Sequence, residues 1–102
     1  MDAYLTKHSA ELVNHSFDFA PEMAVSTTIS SRAVTATDST GADATSTIVD
    51  TSGISGKLVT SLLKAGTDGQ TYTIKYSATI SDSKVLERLL ELRINNKLSR
   101  NP

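Results

Sequence analysis

Cysteine is absent from this 102-residue chain, so neither a disulfide framework nor a thiolate metal site is available. Tryptophan is absent too, and aromatic residues make up only 5%, so the core of what is one domain by length is aliphatic and modest. Ten basic residues against eleven acidic ones give a formal net charge of −1, which removes the charge-driven case for nucleic acid or a membrane surface. The nearest basic cluster, Arg88, Arg93, Lys97 and Arg100, is diluted by Glu87 and Glu91. No apolar run approaches the roughly 18 residues of a membrane span. No charged n-region leads into an apolar stretch at the start, so a signal peptide is not expected, and the missing cysteines lean towards assembly inside a cell.

Serine and threonine are abundant, fourteen of each. They sit poorly inside helices and well on strand surfaces and in turns, so the bulk reading is all-β. The opening, "MDAYLTKHSAELVNH", shows no strand alternation; Tyr4, Leu5, Leu12 and Val13 are isolated apolar points, and "SAELV" allows a short helical turn capped by Ser9. This segment reads either as a frayed terminus or as an arm that docks on a partner. In "HSFDFA" Phe17 and Phe19 alternate with Ser16 and Asp18 as in a half-buried strand that Pro21 ends. "TTISSRAVTAT" is a second strand, and the odd spacing of Ile29 and Val34 points to a bulge between them. "DSTGADATS" reads as a loop, "TIVDT" as a short strand around Ile48, and "GISGKLVTSLLKAG" as a strand with Leu58 and Leu62 inward.

The clearest strand is "YTIKYSATI", with Tyr72, Ile74, Tyr76, Ala78 and Ile80 on one face after a tight "GTDGQ" connection in which Gly69 can take a positive φ. "SDSK" then turns the chain into "VLERLLELRI". Its composition favours a helix, while a short turn after a long strand favours a hairpin partner with Leu86, Leu90, Leu92 and Ile94 on one face, interrupted only by Arg88. Pattern alone leaves both open.

Reactive chemistry is scarce. His8 and His15 have no third metal ligand nearby, and Asp18, Asp38, Asp43 and Asp50 lack the spacing of a calcium loop. There is no G-x-S-x-G elbow, and "GISGKLVT" lacks the spacing of a phosphate-binding loop. No catalytic residue, metal site or cofactor is expected.

The segment from Gly66 through Gly69, Tyr72, Ile74 and Ile80 to Glu87, Arg88, Leu92 and Ile94 resembles a family of small tailed-bacteriophage proteins, the fiber-tail adaptor or collar (head–tail region) structural proteins. "YLTKHSAELVNHSFDFA", "TTISSRAVTAT" and "GISGKLVTSLLKAG" are similar to the family's opening and its next strands. The chain departs from the pattern at Lys64, Ala65 and Gly66, where a Gly-Gly pair is common, at Ser9, where a proline is frequent, and in "SDSK", which lacks a usual glycine.

The resemblance implies an Ig-like antiparallel β-sandwich of about seven strands with "VLERLLELRI" as the closing strand. The expected division is an extended N-terminal arm over residues 1–13, a sandwich over 14–97 and a tail over 98–102. It further implies a non-enzymatic virion structural protein, assembled in the bacterial cytoplasm. Its implied partners are copies of itself and other phage neck, tail or fiber proteins, with no nucleic acid and no membrane. The interface candidates are Tyr4, Leu5 and Leu12, the apolar points of the arm. Two other readings are a carbohydrate- or cell-surface-binding β-sandwich and a capsid decoration protein of the same fold.

Overall fold

The structure, a computed structural model, describes residues 2–96; the C-terminal tail expected over 98–102 lies outside the described residues. Seven strands run in chain order: β1 Ala3–Lys7, β2 Val13–Asp18, β3 Ile29–Thr37, β4 Val49–Ser55, β5 Leu58–Leu63, β6 Thr71–Ile80 and β7 Val85–Ile94. They form a four-stranded sheet in the order β1-β7-β6-β3, facing a three-stranded sheet in the order β2-β5-β4. The strand number and the two-sheet architecture match the expectation.

The sequence alternation carries through to the core. Tyr72, Ile74, Tyr76, Ala78 and Ile80 of β6 are all buried, and β7 pairs with β6 antiparallel, setting Leu92 opposite Tyr72 and Leu90 opposite Ile74. The helix-prone run is therefore a strand, because burial of Leu90, Leu92 and Ile94 against β6 outweighs local propensity. Arg88, the charged residue on that inward face, lies 5.4 Å from the centre of the Phe19 ring and pairs with Glu22. The expected bulge in β3 is present as a register shift between Ile29 and Ser31.

Between the sheets lies one buried polar chain. Ser61 Oγ donates to the His15 carbonyl at 2.8 Å and meets the Tyr76 hydroxyl at 2.6 Å. The single serine proton is committed to a carbonyl, which can only accept, so the Tyr76 hydroxyl donates to Ser61. Phe17 packs edge-on to Tyr76 at 4.9 Å, and His15 to Phe17 at 5.0 Å.

Three expectations change. Residues 3–7, read as part of an arm, form β1, and β1 pairs with β7 in parallel, so the sandwich takes in sequence from the arm and is not wholly antiparallel. Ala3 and Leu5 pack on the core and Lys7 is fully buried, an alternation masked because its third inward residue is a lysine. Thr45–Ile48 is one helical turn, not a strand; Asp43 Oδ1 accepts from Thr45 N and Oγ1, and β4 begins only at Val49. In β5 the inward residues are Val59, Ser61 and Leu63, which leaves Leu58 and Leu62 half-buried on the outer face. The polar Ser61 on the inward side hides this phase in the sequence.

Candidate interaction surfaces

The three candidates of the N-terminal segment do not share a surface. In β1 the residues opposite Leu90, Leu92 and Ile94 point into the core, so Leu5 is half-buried there. Tyr4, opposite Glu91, points away from the core on the outer face of the four-stranded sheet and is 67% exposed. Leu12 is 57% exposed and precedes β2 in phase with the outward residues Asn14, Ser16 and Asp18, on the outer face of the other sheet. β1 and β2 are both edge strands, one in each sheet, so the candidates lie on either side of one seam of the sandwich.

β1 is held firmly. The Lys7 ammonium donates to the carbonyls of His8 and Ala65, both at 2.6 Å. Burial pulls its pKa below the usual lysine value, and the nearby Glu11 carboxylate partly opposes that. At the other end Asp2 N donates to the Leu89 carbonyl, and the Asp2 carboxylate accepts from Leu89 N. The link to β2 is pinned where Ser9 N donates to Asn96 Oδ1 and the Asn96 amide donates to Ser9 Oγ.

The opposite seam is closed differently. Arg32 reaches from β3 to the Ser52 carbonyl of β4 at 2.9 Å. Ala36 N donates to Thr45 Oγ1, and the Ala36 carbonyl accepts from Ala44 N, so the loop after β3 covers that strand's edge. Asp38 and Asp43 bind this loop together; Thr40 and Thr45 hydroxyl and amide donors hold their carboxyls below the usual range.

The two outer faces differ in charge. That of the four-stranded sheet carries Lys75 beside Glu87 at 3.8 Å and Arg93 beside Glu91 at 2.9 Å. A cleft of about 440 Å³ opens there between Thr6, Gln70 and Arg93, but Arg93 is already spent on Glu91. Among the described residues no group of three or more His, Cys, Asp or Glu is placed to hold a metal ion.

A family model described as podophage GP4 fiber-tail adaptor protein gp77 matches residues 7–93. The chain belongs to that family. No curated protein matches it. The adaptor is thus a structural protein of a tailed phage, as the resemblance in its strands implied. The matched segment starts at the buried Lys7, so Tyr4 and Leu5 fall before it and Leu12 within it. Among the adaptor's described residues no helix is long and apolar enough to cross a membrane.

Proposed function

We propose that this adaptor works in the virion in multiple copies at the collar, neck or tail, linking fibers or neighbouring connector proteins. Membership of the fiber-tail adaptor family, over residues 7–93, carries this reading. The face offered to a different protein is the outer side of β1. Tyr4 stands there on an edge strand, exposed and anchored beneath by Lys7 and Asp2, so its ring is presented at low conformational cost.

A sugar-binding role is disfavoured. Such sites stack rings on a row of exposed aromatics, whereas Tyr72, Tyr76 and Phe19 are buried here and Phe17 packs against the core.

The test is complementation of phage lacking this gene. Tyr4→Arg should leave the thermal melt of the purified protein unchanged, since the residue is on the surface, yet reduce the adaptor or the fibers in purified particles at least roughly fivefold. Wild-type amounts of both in Tyr4→Arg particles would contradict the role given to this face.

A further inference from the structure

The outer face of the three-stranded sheet carries an aliphatic ridge along its central strand. That strand, β5, reads "LVTSLL". Val59 and Leu63 face the core, while Leu58 and Leu62 are half-buried on the opposite side with Thr60 between them. An antiparallel sheet with one solvated face alternates apolar-in and polar-out, and the outward Leu58 and Leu62 break that alternation in β5. Within the monomer only one face is covered.

The flanking positions are small and uncharged. Asn14 and Ser16 of β2 lie on one side of the leucine ridge, and Thr51, Gly53 and Ser55 of β4 on the other. Leu12 prolongs the apolar area at the Leu62 end. Depletion of charge around aliphatic anchors marks the centre of a protein interface, whereas on the four-stranded sheet's outer face Leu89 and Val85 stand among Lys75, Glu87, Glu91 and Arg93.

Among the described residues the charges of this face lie at its two ends, an acidic group at one and a lysine with its acidic neighbour at the other. Asp18 sits opposite Leu58, and Lys64 follows Leu62 in the same phase, with a long contact of 3.8 Å to Asp50. A face turned over end for end onto its own copy therefore sets Leu62 over Leu58, Thr60 over Thr60 and each Lys64 towards the other's Asp18. An arrangement with strands running the same way would instead bring Lys64 against Lys64.

We propose that this face docks a second copy of the chain in the end-for-end, two-fold arrangement. The patch is three strands wide and six residues long, roughly 300 Å² per partner, well under the ~800 Å² of a stable interface. The pair is accordingly weak in solution, with a dissociation constant of about 0.1–1 mM, and is populated where copies are concentrated. This deepens the multi-copy reading above; particle incorporation tests that reading separately.

The experiment is sedimentation equilibrium and concentration-dependent NMR shifts on the purified full chain from about 20 µM to about 2 mM. The expected result is dimerisation, with shifts at Leu58, Thr60 and Leu62 and none at Thr73. Thr60→Arg and Leu62→Arg should each weaken it roughly tenfold or more with a melt close to wild type. Lys64→Asp should also weaken it, and Lys64→Asp combined with Asp18→Lys should restore it to within about threefold. A chain still monomeric at about 2 mM would overturn the proposal. So would a dimer indifferent to Leu62→Arg, shifts centred on the other sheet, or no rescue by the charge swap.

Discussion

At Ala65 and Ser83 the backbone takes φ of 52° and 75°, values that cost a residue with a Cβ and that glycine accepts freely. Both lie in segments, one beside Gly66 and one within "SDSK", where the resemblance leads a glycine to be expected. Ala65→Gly and Ser83→Gly should therefore each raise stability, by up to about 1 kcal/mol after the extra entropy of the unfolded glycine is subtracted. Chemical denaturation checks this, and a loss of stability in both would contradict it. The neighbouring Gly66 behaves oppositely. At φ 100° a Cβ there would stand 2.6 Å from Ile94 Cγ1, so Gly66→Ala should destabilise clearly.

His15 supplies a pH dependence. Its Nε2 is buried without a hydrogen-bond partner, between Phe17 and Tyr76, and burial lowers its pKa below 6.5. The folded chain thus resists a proton that the unfolded chain accepts. Stability is full above about pH 6.5 and falls as the pH drops from there through the lowered value. Unfolding midpoints should fall between about pH 7 and pH 5, and His15→Phe should flatten that slope; an equal slope in both proteins would contradict this origin. Asp38 and Asp43 titrate lower still, outside that interval. Burial alone pushes Tyr76 up, to about 12 against the pull of Ser61, so it stays a neutral donor throughout.

At the scale of elements, the β6–β7 hairpin is the frame. Ile74→Ala and Leu92→Ala remove fully buried side chains and should cost about 2–5 kcal/mol, while Thr73→Ala, on the outer face, should cost much less. Comparable losses for all three would contradict the assigned faces. β1 belongs to this frame as well. Removing residues 1–7 strips Ala3, Leu5 and Lys7 from β7, so it should destabilise by several kcal/mol, on the order of a large core truncation. An unchanged melt would show that the segment is a dispensable arm after all.

These elements also show what a sequence discloses. Tyr72–Ile80 was legible because every inward residue is apolar or aromatic. The bulge at Ile29–Ser31 was legible because a break in phase has no other geometric reading. Elsewhere, period two failed in two strands with a polar, satisfied inward position. Lys7 on two carbonyls hid β1, and Ser61 bonded to Tyr76 inverted the phase of β5. Long-range partners of this kind leave no local trace. Of the interface candidates, Tyr4 and Leu12 are exposed as an interaction role needs, but no one-dimensional pattern reveals that they belong to different sheets.

At the scale of the whole molecule, the two sheets present different surfaces. One outer face is studded with internally paired charges and edged by Tyr4; the other keeps Asp18, Asp50 and Lys64 at its ends around a leucine ridge. A small aliphatic core gives a domain of this size only marginal stability, so contacts made in a particle add to it through mass action. Such a division suits a connector that touches its own copies with one face and a different protein with the other. The most direct measurement is a cryo-EM reconstruction of the intact phage. The account predicts several copies of this two-sheet fold at the collar, neck or tail, next to fiber or connector proteins, with the Tyr4 edge turned towards a protein other than itself. Finding the fold on the head shell, or finding no copy of it in the particle, would contradict that account.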